Sequence, residues 1–241
     1  SAGLDTSITV SASLTEGPTY YANVRAIDHV LNVGEIVSSD GFGLDISIPT
    51  TGVVSDGPGS DIVWTNNDTV FNVTWQGFQD EYSGIEFYEY SVGTTPGGQD
   101  HFGWTDIDTL TEISMDAGLA HGLTYYTSVR ATDVVDNVSV PGISNGVTID
   151  TLPPVIISLS ETSIDDPEYQ GSDTSLVLIW EGSDDLSGLE RYDIAIGTSY
   201  GEVDLVDWTS MGLDLSVDIT SLALQDGNRY YGSVRTIDLA G

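Results

Sequence analysis

Apolar and polar residues alternate along much of this chain with a period of two. In the stretch opened by Tyr125, residues Tyr125, Thr127, Val129 and Ala131 fall on one face and Tyr126, Ser128 and Arg130 on the other. That alternation predicts a strand with one buried face. Phe71, Val73 and Trp75, and again Leu176, Leu178 and Trp180, form a second alternating run that closes on tryptophan. A third run, Tyr88, Tyr90, Val92 and then Gly93-Thr94, is matched by Tyr192, Ile194, Ile196 and then Gly197-Thr198. Helical periodicity and helix caps are missing, and Gly, Asp and Asn turns separate the short runs. The expected fold class is all-β, as tandem antiparallel two-sheet sandwiches of about seven strands each.

The phrase Tyr-Tyr-x-x-Val-Arg-x-x-Asp occurs three times, at Tyr20–Asp28, Tyr125–Asp133 and Tyr230–Asp238, in steps of 105 residues (125 − 20 and 230 − 125). Leu14, Leu119 and Leu224 each stand six residues before the leading tyrosine. A period this long exceeds a solenoid unit and matches one small domain. The expected organisation is the C-terminal half of a first sandwich over 1–50, a complete repeat over 51–152, and a third repeat over 153–241 lacking its last strand. Cut repeats without an initiator Met or leader fit an internal segment of a longer protein.

Charge narrows the partners. The chain carries 38 acidic and 5 basic residues, a formal net charge of −33. Nucleic acid is disfavoured as a partner, because phosphate contacts need Lys and Arg, and so is docking on an anionic membrane. Cations and a saline medium suit a carboxylate excess. With no cysteine, neither disulfides nor thiolate-bound metals can hold the domains together.

Several of these residues carry a family resemblance. Trp75 and Trp180 closing the second strand, the Tyr-x-hydrophobic third strand, and Leu-x5-Tyr-x-hydrophobic-x-Val at the sixth resemble fibronectin type III domains. The resemblance implies that Tyr20, Tyr125 and Tyr230 form tyrosine corners, with each hydroxyl bonded to upstream backbone. More narrowly, "DGPGSDIVWTNNDTVFNVTWQGFQDEYSGIEFYEYSVGTTPGG", "YYTSVRATDVVDNVS" and "VTIDTLPP" are similar to repeats of very large secreted surface proteins of marine Bacteroidota. The resemblance spans the whole chain, implies the sandwich fold, and leaves function open, since such modules serve as spacers and as binders.

In this topology the sixth strand pairs with the third, so the outward arginines are expected to form cross-strand pairs, Arg130 with Glu89 and Arg235 with Asp193. Exposed pairs of this kind are worth roughly 0.2–1 kcal/mol. The loop carboxylates raise a sharper question. Asp80 and Glu81 lie between the second and third strands, and Asp184 and Asp185 occupy the same place one repeat later. Asp133, Asp136 and Asn137 follow the sixth strand, as does Asp238, and the linkers between repeats supply Asp45 and Asp150. A sandwich brings these segments to the end where the preceding domain enters. Two readings fit. Convergent oxygens at a junction suit calcium, which takes six to eight oxygen ligands, a device that cadherin-type repeats use. Asp, Asn, Ser and Gly are equally the residues that turns prefer, and no EF-hand motif is present.

Other chemistry finds less support. His29, His101 and His121 occupy no equivalent repeat positions, and no phosphate loop or zinc motif occurs. Asp165-Asp166 sit side by side, which on a strand turns them to opposite faces and argues against a glycosidase pair. Thr69, Thr109 and Thr151, in Asp-Thr-hydrophobic tripeptides, resemble the O-glycosylation site of secreted Bacteroidota proteins. Trp104 and Trp208 recur like framework residues, whereas Trp64 has no third-repeat counterpart and is the candidate sugar platform.

The expected protein is a non-catalytic stalk or fibre segment of a large extracellular, adhesin-like surface protein, its junction carboxylates open to two readings, calcium stiffening or turn chemistry. Its expected partners are neighbouring repeats, then other surface proteins, glycans or copies of itself, with no nucleic acid and no membrane insertion. The alternatives are a glycan- or cell-binding module, or a filament subunit joined by strand donation across an open sheet edge.

Overall fold

The structure, a computed structural model, describes residues 3–161 and 168–241. Asp165-Asp166 lie outside the described residues. Every regular element described is a strand, and no helix is long and apolar enough to cross a membrane. In chain order the strands begin with β1 (Asn23–Val24), β2 (Val37–Ser38), β3 (Val53–Asp56), β4 (Trp64–Thr65), β5 (Val70–Gln76) and β6 (Ile85–Gly93). Next come β7 (Phe102–Asp106), β8 (Glu112–Asp116), β9 (Thr124–Asp133), β10 (Gly142–Ile143) and β11 (Val147–Ile149). The chain closes with β12 (Val155–Glu161), β13 (Ser175–Ser183), β14 (Leu189–Gly197), β15 (Val206–Gly212), β16 (Ser216–Thr220) and β17 (Tyr231–Asp238).

The sheets run β1-β2, β3-β5-β8, β4-β11-β9-β6-β7 with β10 also on β9, β12-β13-β16, and β15-β14-β17. Trp64 of β4 pairs in parallel with Thr148 of β11. The expected all-β, multi-sheet class is what the structure has.

The chain divides into two compact units, one of Ser1–Val54, Trp75–Glu112 and Thr127–Ser144, the other of Ser55–Thr74, Ile113–Tyr126 and Asn145–Gly241. In the first, Trp75 and Phe78 meet Tyr88 edge-on, with ring centroids 5.9 and 5.7 Å apart, beside fully buried Val92, Val129 and Ala131. In the second, Leu176, Leu178 and Trp180 of β13 interlock with Tyr192, Ile194 and Ile196 of β14. Trp180 meets Tyr192 at 6.0 Å and 60°. Burying each such side chain is worth about 1.5–3 kcal/mol, and an edge-on aromatic pair adds about 0.5–1.5 kcal/mol. The alternation read from the sequence is the cause. β13 keeps every second residue from Leu176 to Trp180 inside and turns Val177 and Ile179 outward into partial exposure.

Each repeat phrase carries the same anchor. The Tyr20, Tyr125 and Tyr230 hydroxyls accept the backbone N–H of Thr15, Ala120 and Gln225 at 2.8, 3.1 and 2.8 Å, each five residues upstream. The first phrase departs from the other two in burial. There β1 pairs with β2, with isolated bridges Tyr20–Phe42 and Ile27–Val33 beside them, and Val24 and Ile27 are 69% and 55% exposed. A strand buries one face only when a second sheet covers it, and among the described residues none covers this hairpin.

The cross-strand arginine pairs are present, each on a carboxylate largely withdrawn from water. Arg130 Nε donates to Glu89 Oε2 at 2.7 Å, and Arg235 Nε donates to Asp193 Oδ2 at 3.0 Å, in the register Asp193–Arg235 of β14 and β17. Asp193 is only 5% exposed and also accepts from Arg191 Nε at 3.2 Å. The indoles of Trp104 and Trp208 lie 4.3 and 4.4 Å from the Arg130 and Arg235 guanidiniums; the Arg130 side chain is 30% exposed, whereas that of Arg235, at 52%, stays largely in water.

Candidate metal centre

Among the described residues two three-carboxylate clusters form, each within one compact unit. Asp45 follows β2, Asp80 follows β5 and Asp133 ends β9; Asp150 follows β11, Asp184 follows β13 and Asp238 ends β17. In each set, one oxygen from every residue lies within 4.8 Å of the others. At that range two unit charges repel by on the order of 3 kcal/mol per pair for an effective dielectric near 20. Backbone donors offset part of this.

The loop after the Trp-closing strand curls onto its first aspartate. Asp80 Oδ1 accepts the N–H groups of Ser83 and Gly84 at 2.9 and 2.7 Å. Asp184 Oδ2 accepts those of Leu186 and Gly188 at 2.9 and 2.7 Å. The turn closes only because Gly84 and Gly188 adopt φ of 83° and 84°, the left-handed region that side chains disfavour. The linker aspartates then reach across. Asp45 Oδ2 accepts from Ser83 N at 3.1 Å, and Asp150 Oδ2 from Ser187 N at 2.9 Å. After the sixth strand, Asp133 binds its own loop through Val135 N at 2.9 Å and Asn137 N at 2.8 Å, while Asn137 Nδ2 holds Oδ2 at 2.8 Å. Asp238 accepts from Ala240 N and Gly241 N at 2.9 and 2.8 Å.

These contacts set the ionisation. Ser83, then its other backbone donors, hold the Asp45 carboxyl below the usual carboxylate range. Burial pushes Asp150 upward, but donation from Ser187 and Leu152 and the adjacent His121 outweigh it, so Asp150 also lies below that range.

Not every expected carboxylate joins. Glu81, Asp136 and Asp185 are exposed: the curl that turns Asp80 and Asp184 inward leaves the next residue facing water, and Asp136 lies in the turn that its N–H closes on Asp133 O. Asn137 spends its amide on Asp133. His121 is the neighbour that sequence reasoning misses. Its Nδ1 accepts the Thr151 N–H at 3.1 Å and lies 3.6 Å from Asp150, while Nε2 is 3.9 Å from Asp185. No repeat position marks it, so only the fold reveals it.

Trp64, the candidate sugar platform, is half-buried on a two-residue strand. Thr69 and Thr109 are exposed and Thr151 half-buried, and the Thr69 hydroxyl donates to Asn67 Oδ1 at 3.0 Å.

No family model matches the chain. It is similar to Exoglucanase B of Cellulomonas fimi, 27% identical over 240 residues, which covers 95% of this chain and 19% of that protein. The chain therefore spans about a fifth of the length of this relative. Among solved structures, domains A168-A170 from titin match at a TM-score of 0.52 and 14% identity, covering 95% of this chain and 73% of that one. The FN1-FN3 domains of chicken CNTN1 align over 92% of this chain and 73% of theirs at 16% identity, with a TM-score of 0.44. The fold is that of tandem Ig-like or fibronectin III-type β-sandwiches.

Proposed function

We propose that this chain is a non-catalytic spacer, a stalk segment of a large extracellular bacterial surface protein, with calcium bound where one repeat enters the next. The repeats run over 1–50, 51–152 and 153–241. One observation carries the reading: each linker aspartate is hydrogen-bonded to the loop of the following repeat, Asp45 to Ser83 and Asp150 to Ser187. A linker tied down in this way resists free hinging, which suits a module whose work is to hold distance. Repeats of one domain type that contact mainly their neighbours unfold as a series.

Pulling the full chain between its ends tests this. A complete repeat should give a separate unfolding step whose length gain matches about 100 residues at ~3.3–3.6 Å each. A single step for everything that unfolds would overturn the division and with it the spacer reading.

The likeness to Exoglucanase B favours a second reading, in which the same spacer stands in an extracellular polysaccharide-degrading protein rather than an adhesin. The open reading frame around this segment decides between the two: a glycoside hydrolase module in the same frame would select the second.

A further inference from the structure

The two carboxylate clusters are not equivalent. Around Asp150, Asp184 and Asp238 the protein leaves oxygens unused. Asp184 Oδ1 is buried and has no hydrogen-bond partner, although Oδ2 of the same carboxylate takes two N–H groups. Ser187 is 6% exposed; its N–H donates to Asp150 Oδ2 at 2.9 Å, and its hydroxyl has no partner of hydrogen-bond geometry. Asp150 and Asp238 are themselves 1% and 6% exposed. A carboxylate oxygen removed from water with no donor is costly, and here it belongs to a group with two further carboxylates within 4.8 Å. Among the described residues the Asp45 cluster has no such oxygen.

We infer that Asp150, Asp184, Asp238 and the Ser187 hydroxyl form a calcium site that ties the linker to the third repeat. This deepens the junction reading above and depends on it only for where the linker begins. The chemistry selects the ion. All the donors are oxygens, as a hard cation requires, and the three carboxylates come from separate segments, a linker, a loop and a strand end, that can adjust to a large and irregular shell. Magnesium demands tighter octahedral geometry and surrenders water reluctantly. A cavity of about 250 Å³ borders Asp150 and Asp238, not Asp184 or Ser187, and gives those two carboxylates room for water ligands. His121 stays outside the set, because its Nδ1 is occupied by the Thr151 N–H. The carboxylates are thus held at close range by backbone donors and lack only positive charge.

The test uses the full chain with calcium as the probe, counting bound ions by native mass spectrometry and following thermal melts in calcium and in chelator. Asp184→Asn should bind one calcium fewer than wild type and lose part of the calcium-induced rise in melting temperature. In chelator it should melt at or above the wild type, since one of three mutually repelling charges is gone. Ser187→Ala should match the wild type in chelator and bind calcium at least about tenfold more weakly at this site, the cost that losing even an outer supporting group carries. Equal calcium counts in wild type and D184N would show adventitious binding to other carboxylates and overturn the site. A melting temperature lowered equally with and without calcium would leave Asp184 as turn chemistry alone, which also overturns it. If D184N does not fold, unchanged calcium affinity in S187A overturns the site in its place. An equal response to magnesium would refute the choice of ion. The pulling experiment is indifferent to all of these outcomes, so the spacer reading stands or falls separately.

Discussion

The Arg130 guanidinium lies 4.3 Å from the centroid of Trp104 while its Nε donates to Glu89 at 2.7 Å. One side chain thus closes a cross-strand ion pair and a cation–π stack together. Arg235, Asp193 and Trp208 repeat the arrangement. The Trp104 indole partly removes the Arg130 pair from water, which strengthens both contacts and takes them out of the class of exposed surface bridges.

Arg130→Ala should therefore destabilise by about 1–2 kcal/mol. Arg130→Lys should recover little, because an ammonium cannot stack flat and donate sideways at once. Arg235→Ala should cost less, since Asp193 keeps Arg191 Nε at 3.2 Å. Urea unfolding of the three variants checks the order; an Arg130→Ala cost below about 0.5 kcal/mol would return the pair to the surface class.

Tyr125→Phe removes only the hydroxyl that accepts the Ala120 N–H at 3.1 Å. The ring stays buried, so the loss should be close to one hydrogen bond, about 1 kcal/mol. Tyr20→Phe should be nearly silent in global unfolding, because the segment around it buries little that could report the change. Matched chemical denaturation curves for the two variants measure the contrast, and equal losses would contradict it.

Acid sensitivity should come partly from two hairpin clamps. Thr94 donates its N–H and hydroxyl to Asp100 at 3.0 and 2.7 Å, and Thr198 does the same to Asp204 at 2.8 and 2.7 Å. The threonine side chains, then their N–H groups, hold both carboxyls below the usual range. A carboxyl lowered in the folded state stabilises above its unfolded value of about 3.9 and loses that contribution as pH falls through the folded value. Wild type should therefore lose stability below about pH 4. The double variant Asp100→Asn with Asp204→Asn should be less stable at neutral pH and show a shallower acid slope, measurable as melting temperature against pH; parallel slopes would exclude the clamps as a source.

What could be read in advance followed from periodicity. Alternation placed Phe71, Val73 and Trp75 inside, and the 105-residue step made the three leading tyrosines equivalent, while the bonds of their hydroxyls were implied by the family resemblance. Those features depend on which face of a strand a residue occupies, and a sequence states that directly. The clamps were half visible, since Gly-Thr with Asp six residues beyond Thr recurs at Thr94 and Thr198, yet the hairpin that joins them exists only in the fold. Within turns the pattern fails. Nothing in Asp80-Glu81 or Asp184-Asp185 says which carboxylate folds inward, because that choice is made by N–H donors two to four residues on. His121 and the indole stacks arise from contacts between distant segments, which leave no periodic trace.

Gly188 offers a test of how far the turn governs the cluster. Its φ is 84°, and a Cβ added there meets nothing within 4 Å, so Gly188→Ala carries backbone strain without a clash, about 1–2 kcal/mol. Gly188→Asn should cost less, since Asn tolerates the left-handed region. Gly232 is the opposite case, with φ outside that region and a Cβ that would sit 2.5 Å from Leu178 Cδ2. Gly232→Ala should therefore cost about 1–3 kcal/mol by overpacking, and Asn there should be worse than Ala. The rank of Ala against Asn thus inverts between the two sites, because one is limited by dihedral and the other by space. Thermal melts of the four variants read the inversion. The same rank at both positions would mean that the Gly188 turn is not held at its left-handed angle, and the Asp184 carboxylate would then lose the N–H donor that aims it inward.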